Sequence, residues 1–224
     1  MEIIKKEIII EGINITFQIT EKDRQIRKDL TKLDIVTIDP ATSKDFDDAI
    51  YCEKTKDGDY RLFVCIADVS SYVTLNSPLD KDALNRGCSV YLVDRVVPML
   101  PHKLSDDLCS LNPNVERLSL TAEMIIDKFG QFKKIDVYPS IMKSHRRFTY
   151  DEVNQFFDSK TKLENDTQSI RDMLIVSKQL HDILSKMKKA RGYIELDVPE
   201  DELMTRLINR GKQSGRSDDN AETI

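Results

Sequence analysis

Alternating apolar and polar residues are the strongest pattern in the middle of the chain. From Leu118 to Ile126, apolar residues alternate with hydroxyl and carboxylate residues, which predicts a strand with one buried face. The Phe129-Gly130 pair then predicts a turn, and the run from Lys133 to Tyr138 completes a hairpin. Asp57-Gly58 lies between two other apolar runs and predicts a further hairpin.

Helical spacing of apolar residues predicts one long helix from Thr167 to Ala190, with Gly192 as its stop. Its apolar stripe, interpreted as core packing, consists of Ile170, Leu174, Leu180, Ile183, Leu184 and Met187. Thr149 and Glu152 have the spacing of a capping box, which predicts a second helix from Tyr150 to Phe157.

Two shorter helices are predicted from their caps. Ser77-Pro78 opens one that ends at Gly87. The other runs from Leu104 to Ser110 and is capped by Ser105 or by contacts on the His102 side. Asp106-Asp107 then lies in its first turn, where the helix dipole favours negative charge, so we prefer a structural role to a second metal site.

Four carboxylates, Asp39, Asp45, Asp47 and Asp48, fall within ten residues between two short β-like runs. Carboxylates this close repel each other, so at least one pKa would rise unless a cation neutralises them. Mg2+ prefers oxygen ligands and commonly takes a few carboxylates together with substrate phosphates. A metal held there can activate water and stabilise leaving oxygens in phosphodiester cleavage.

The spacing excludes two other uses of this segment. An EF-hand loop counted from Asp39 would need Gly and Glu where Lys44 and Ile50 stand. A phosphoaspartyl Asp-x-Asp motif fails at Ala41. Asp45-Phe-Asp-Asp48 also fits a motif of some terpene cyclases, which nothing else in the chain supports. A solvated turn or a helix cap stays open from spacing alone.

Composition indicates a soluble globular protein, with 40% hydrophobic and 33% charged residues. The net charge of −5 is not typical of a nucleic-acid binder, but it is a poor guide to a local cleft. Four cysteines without C-x-x-C spacing indicate reduced thiols, and three scattered histidines disfavour a histidine metal site. No apolar run is long enough to cross a membrane. We expect a cytoplasmic monomer.

The string from Val36 to Ile50 resembles the catalytic signature of the RNB domain, the hydrolytic core of the ribonuclease II and ribonuclease R family of 3′-to-5′ exoribonucleases. The resemblance continues in order through five further segments: Ile66–Val73, Ser77–Asp80, Gly87–Val93, Val97–Pro101 and Leu104–Pro113. It covers roughly Thr20 to Pro199 and is stronger to the ribonuclease R branch.

This resemblance implies a mixed α/β (α+β) fold, in which a twisted mixed sheet is flanked by helices. It also implies hydrolysis of single-stranded RNA from the 3′ end to nucleoside monophosphates, with Mg2+ or alternatively Mn2+. By this resemblance, Asp39 and Asp48 are the residues most expected to bind Mg2+ directly, and Asp45 and Asp47 complete the cluster. Asp47 and Asp48 are the expected catalytic residues, with Asp47 orienting the attacked phosphate or water.

Four residues are expected to contact RNA. By resemblance, Tyr91 stacks near the 3′-terminal base, and Tyr150 matches a second tyrosine near the site. Arg146 and Arg147 belong to a basic cluster that contacts phosphates or is simply a solvated strand face. The structural alternatives for the tyrosines are a half-buried strand aromatic and the first residue of a capped helix.

Three segments follow from the resemblance. Residues 1–19 are a leader or a remnant of a preceding β-barrel, 20–199 the N-terminal part of an RNB domain, and 200–224 a foreign tail that resembles an adenylate kinase lid. Arg210 and Arg216 match lid arginines, but no G-x-x-x-x-G-K loop supports kinase activity. The resemblance places the RNB family's catalytic arginine, and a glutamate that helps to position the terminal nucleotide, in the part that this tail would replace. We therefore expect an impaired exoribonuclease, or alternatively a catalytically incompetent metal- and RNA-binding fragment.

Overall fold

The computed structural model describes residues 7–10, 13–16, 19–92, 96–163 and 165–192. The predicted adenylate kinase-like tail, with Arg210 and Arg216, lies outside these residues. No helix in the described part of the chain has the length and apolar character needed to cross a membrane.

Fifteen labelled elements make up the described chain, together with a 3-10 turn at Val69–Ser71 and a π-helix at Lys103–Leu108. The helices are α1 (Glu21–Ile26), α2 (Pro78–Arg86), α3 (Tyr150–Phe157) and α4 (Gln168–Ala190). The strands are β1 (Glu7–Ile10), β2 (Ile13–Thr16), β3 (Lys28–Asp29), β4 (Val36–Asp39), β5 (Asp48–Lys54), β6 (Tyr60–Ala67), β7 (Val90–Tyr91), β8 (Val96–Val97), β9 (Glu116–Ile126), β10 (Phe132–Lys143) and β11 (Arg146–Thr149).

A seven-stranded mixed sheet forms the centre, in the order β11-β4-β5-β6-β9-β10-β3. The β11–β4 and β10–β3 pairs are parallel, and the other neighbours are antiparallel. The predicted mixed α+β fold is therefore confirmed. Two antiparallel pairs, β1–β2 and β7–β8, lie outside this sheet.

The two parallel pairs link the ends of the sheet. The chain from β3 to β4 runs beside the chain from β10 to β11, and hydrogen bonds continue between the strands. Leu30 N donates to the Ile141 carbonyl, and His145 N to the Ile35 carbonyl, both at 2.8 Å. Because β3 and β11 are the two outermost strands, these contacts require the sheet to curl.

Each sheet face has its own apolar core. On one face, the buried cluster consists only of residues from strands and loops: Leu30, Ile35, Phe46, Ala49, Phe63, Cys65, Ala67, Leu111 and Met142. Helix α4 covers the opposite face and buries Ile170, Met173, Leu174 and Leu180, which confirms the predicted core stripe in part. The 23-residue helix thereby fixes β4, β5 and β11 beneath its N-terminal half.

Most predicted caps and turns are confirmed. Ser77 caps α2, and Thr149 and Glu152 form the capping box of α3. Thr167, predicted as the first residue of the long helix, is instead the cap of α4. The hairpin predicted at Asp57-Gly58 joins β5 to β6. Strand β10 continues to Lys143, five residues beyond the predicted end at Tyr138.

The helix predicted from Leu104 to Ser110 is wrong in its type and start. The segment Lys103–Leu108 is a π-helix, and Ser105 lies inside it, so Ser105 is not its cap. His102 Nδ1 instead lies 2.9 Å from Asp106 Oδ2, and Lys103 pairs with Asp107. These contacts agree with the structural interpretation of both aspartates.

Candidate active site

The site is built on the carboxylate loop, residues 39–48, which joins β4 to β5. Asp39 is the half-buried last residue of β4, and Asp48 is the exposed first residue of β5. Phe46 is buried in the sheet core, while its neighbours Asp45 and Asp47 are exposed. The loop therefore carries an apolar anchor with a carboxylate on each side of it.

The four carboxylates influence each other electrostatically, as predicted. Burial, and then the charge of Asp48, raise the pKa of Asp39 to about 6, with further contributions from Asp45 and Asp47. The Arg147 guanidinium acts in the opposite direction. Although the Asp47 residue as a whole is exposed, surrounding protein partly desolvates its carboxyl, and this desolvation, followed by the charges of Asp45 and Asp48, raises its pKa. The loop thus holds negative charge that a cation would stabilise.

Backbone contacts with distant segments hold the second half of the loop. Phe46 N donates to Ser110 Oγ at 2.9 Å, and the Ser110 hydroxyl donates to the Lys44 carbonyl at 3.1 Å. Leu111 N donates to the Phe46 carbonyl and Ala67 N to the Asp47 carbonyl, both at 2.9 Å. These hydrogen bonds therefore tie the loop backbone around the carboxylates to the end of β6 and to the segment after the π-helix.

The adjacent arginines of β11 have different partners. Arg147 Nη2 donates to the carbonyls of Pro40 at 2.6 Å and Ala41 at 3.1 Å, and its guanidinium lies 5.3 Å from the Phe46 ring centre. Arg146 instead pairs with Glu152 at 2.8 Å and Asp166 at 3.0 Å. An RNA contact by either arginine stays a prediction, and Arg147 already binds the carboxylate loop.

The two tyrosines occupy different parts of the fold. Thr149 of β11 lies opposite Asp39 of β4, so Tyr150, at the start of α3, follows directly beside the carboxylate loop. Tyr91 belongs to the separate β7–β8 pair, opposite Val96. Both rings are largely exposed, at 54% for Tyr150 and 66% for Tyr91. Both surfaces are accessible to a base, and stacking stays a prediction.

An open cavity of about 430 Å³ lies beside β11. It is lined by Pro113, Asn114, His145, Arg146, Arg147, Thr149 and Glu152. His145 Nε2 is 3.0 Å from the Thr31 carbonyl, and both arginines are engaged as described above. The cavity adjoins the carboxylate loop through Arg147, but its charged groups are already paired within the protein.

The carboxylate loop supplies oxygen donors of the type that a hard divalent cation such as Mg2+ prefers. Within the described residues, no group of three or more His, Cys, Asp and Glu side chains could hold a metal ion, so the four-ligand set stays a prediction. Asp39 Oδ2 is buried and has no hydrogen-bond partner. Mg2+ commonly uses only one or two carboxylates together with water and substrate phosphate, which suits this arrangement.

Sequence reasoning missed the residues that hold the loop. Ser110 lies in a segment whose resemblance was recognised, but no spacing rule connects it with Lys44 or Phe46. The basic cluster around Arg147 indicated charge, and gave no sign that this charge faces the loop. Only the parallel register between β11 and β4 brings the two segments together.

Comparison with known proteins assigns the family. The model of the RNB domain matches residues 27–222. Ribonuclease R of Ureaplasma parvum is 45% identical over 198 residues, covering 88% of this chain and 28% of that protein. Ribonuclease R of Mycoplasmopsis pulmonis is 44% identical over 210 residues, covering 94% and 28%. The chain belongs to the RNB domain family.

A solved structure agrees with this assignment. Mycoplasma genitalium RNase R, in complex with double-stranded RNA, is 40% identical and superposes with a TM-score of 0.76, covering 81% of this chain and 32% of that one. The chain thus spans under a third of the length of these relatives. RNB exoribonucleases generally depend on a metal ion.

The family match bears on the predicted tail without settling it. It extends to residue 222 and so includes most of the segment 200–224 that was expected to be foreign. The likeness of that segment to an adenylate kinase lid stays a prediction, as do the three predicted segment boundaries.

Proposed function

We propose that this chain carries the metal-binding part of an RNB exoribonuclease site, which hydrolyses single-stranded RNA from the 3′ end to nucleoside monophosphates with Mg2+. The observation that carries the proposal is the carboxylate loop, whose half-buried Asp39 has a pKa raised to about 6 by burial and by Asp48. A site that concentrates negative charge and leaves a buried carboxylate oxygen unpaired suits a divalent cation.

Each residue has a distinct task in this proposal. Asp39 and Asp48 would hold Mg2+, with Asp45 and Asp47 beside them. When bound, the cation supplies charge stabilisation and a more acidic water at the scissile phosphate. Asp47 orients the attacked phosphate or the water. At neutral pH the Asp39 carboxyl is mainly ionised, because its pKa of about 6 lies below the ambient pH.

We infer the RNA partner from two exposed aromatic side chains and from a related protein whose structure contains RNA. Tyr91 and Tyr150 present exposed rings, and base–aromatic stacking tolerates any sequence. A relative with 40% identity has been solved with RNA bound. We propose that the 3′-terminal base stacks on Tyr91, and that the RNA phosphate meets the carboxylate loop beside Tyr150.

The second proposed function is an incompetent fragment that binds metal and RNA without cleaving. The resemblance places the family's catalytic arginine outside residues 20–199, and a site without that arginine would bind RNA but cleave it slowly. Loss of one electrostatic stabiliser costs about 10²- to 10³-fold in rate.

The deciding experiment follows a 5′-labelled single-stranded oligoribonucleotide with Mg2+ present. We expect stepwise shortening from the 3′ end, about 10²- to 10³-fold slower than by an intact ribonuclease R. Asp47→Asn should abolish the reaction, whereas Asp57→Asn, the same change in the exposed β5–β6 turn, should not alter it. RNA binding without any shortening would support the incompetent fragment, and internal cuts would contradict both.

A further inference from the structure

We propose that Ser110 and Arg147 are positioning residues that clamp the carboxylate loop from two sides and fix its aspartates for a divalent cation. The metal part of this inference rests on the proposed function, whereas the clamp itself rests on contacts within the chain. Between β4 and β5 the loop has one internal backbone hydrogen bond, from Ser43 N to the Pro40 carbonyl at 3.1 Å. Contacts from outside must therefore set its shape.

Ser110 holds the peptide groups on both sides of Asp45. Its hydroxyl accepts from Phe46 N and donates to the Lys44 carbonyl, so both capacities are used within one turn of the loop. The side chain is fully buried, and no water competes for these bonds. An unpaired buried donor and acceptor would replace them if the hydroxyl were removed.

The position of Ser110 is itself fixed by the end of the π-helix. Arg117 Nε donates to the Ser110 carbonyl at 2.9 Å, and Arg117 Nη2 donates to the Asp107 carbonyl at 2.8 Å. Asn112 Nδ2 donates to the carbonyls of Asp106 and Asp107, at 3.2 and 3.3 Å. The segment from Asp106 to Asn112 thus forms a rigid support whose contact with the loop is one serine hydroxyl and the following backbone.

Arg147 holds the first half of the loop. It donates to two successive carbonyls, those of Pro40 and Ala41, and its guanidinium lies over the Phe46 ring. Its backbone pairs with Thr37 in the parallel β11–β4 register, so the side chain starts from a fixed place next to the loop. The Arg147 guanidinium therefore connects the beginning of the loop with Phe46, the buried residue that anchors it.

The clamp matters for a metal site because the carboxylates of the loop repel each other. Mutually repelling carboxylates would spread into water if the loop were free, and a cation binds more tightly when the backbone already restrains its ligands. Arg147 acts near the start of the loop, at Pro40 and Ala41, and Ser110 acts at the two peptide groups that flank Asp45. Losing either contact should loosen the aspartates while the sheet itself stays folded.

The Ser110 contact is tested by Ser110→Ala against Ser119→Ala. Ser119 is also fully buried and hydrogen bonds through its hydroxyl, to Ser140 at 2.8 Å, but it does not touch the loop. In metal-free protein we expect amide hydrogen exchange at Phe46 to accelerate about tenfold in Ser110→Ala and to stay unchanged in Ser119→Ala. Mn2+ titration should show a Kd increased about tenfold in Ser110→Ala alone.

The Arg147 contact is tested by Arg147→Gln against Arg61→Gln. Arg61 also lies over a phenyl ring, that of Phe63 at 4.9 Å, and removing it changes the net charge equally. We expect faster exchange in the loop and weaker Mn2+ binding, about tenfold, only in Arg147→Gln. Arg147→Lys should restore part of the affinity, since its ammonium group keeps the positive charge and can still donate to a loop carbonyl.

The two readouts separate this inference from the proposed function. If wild type fails to bind Mn2+, the metal proposal is wrong, and hydrogen exchange still decides the clamp. The clamp is overturned if loop exchange is unchanged in either loop-facing variant, or if the matched control accelerates it equally. A lower melting temperature in the two loop-facing variants and in their two controls, with faster loop exchange only in the loop-facing variants, would support the clamp.

Discussion

At the scale of single residues, Glu123 shows how one carboxylate stabilises several strands. Its Oε1 accepts from Arg61 of β6, and its Oε2 accepts from Lys28 of β3 at 2.7 Å and from the Tyr138 hydroxyl of β10 at 2.5 Å. Burial acts to raise its pKa, but these hydrogen bonds outweigh burial and lower the pKa to about 2. The ionised form is therefore the one that the fold stabilises.

We expect Glu123→Gln to reduce the free energy of unfolding by about 1–3 kcal/mol at pH 7, because three charge-assisted or phenolic partners lose a charged acceptor. Folding lowers the pKa of Glu123, so its contribution to the free energy of unfolding is fully present above about pH 4.5. This contribution is lost as the pH falls towards about 2. Thermal unfolding from pH 7 to pH 2 should show the wild type and the variant converging.

Glu116→Gln is the control for this prediction. Glu116 pairs with Arg24 at 2.6 Å, but both side chains are about two-fifths exposed, so its removal should cost less than about 1 kcal/mol. An equal loss in both variants, or a constant difference at all pH values, would show that the lowered pKa of Glu123 does not contribute to stability.

At the scale of elements, the β9–β10 turn packs directly against α4. Gly130 has a φ of +82°, and an added Cβ would lie 2.1 Å from Met187 Sδ. Gly58, in the β5–β6 turn, has the same φ of +82° but no atom within 4 Å of an added Cβ. The two glycines therefore share a backbone requirement and differ in their contact with the helix.

We expect Gly58→Ala to cost about 1–2 kcal/mol from the left-handed backbone alone. Gly130→Ala should cost about 1–3 kcal/mol more, because the turn or the Met187 side chain must move. Urea unfolding of both variants, and of Gly130→Ala/Met187→Ala, measures the difference. Equal losses in the two single variants, or no relief in the double variant, would mean that the turn does not press on α4.

Local sequence signals predicted local structure well in this chain. Caps such as Ser77 and Thr149 act through bonds three residues away, and a Gly-containing turn sets a hairpin, so these elements were predictable. The π-helix at Lys103–Leu108 was missed because its residues also suit an ordinary helix. Strand β10 was predicted too short because its later part pairs with β3 as well as β9, which alternation alone does not reveal.

At the scale of the whole molecule, the strand order was beyond reach of the sequence pattern. The parallel pairing of β11 with β4 joins segments over a hundred residues apart and places Arg147 against the carboxylate loop. Spacing and resemblance identified the four aspartates, since their mutual repulsion is local. The contacts that hold them come from other parts of the chain, so only the fold reveals Ser110 and Arg147 as neighbours.

In the proposed function, the exposed rings of Tyr91 and Tyr150 make base stacking an expected source of RNA affinity. We expect Tyr91→Ala to weaken binding of single-stranded RNA by about 1–3 kcal/mol at every salt concentration, since stacking does not release counterions. Phe129→Ala is the matched control, because Phe129 is also 66% exposed but lies in the β9–β10 turn. Fluorescence anisotropy at several salt concentrations measures both variants. An equal loss in the two, or a loss that disappears as salt rises, would show that Tyr91 does not stack on the RNA.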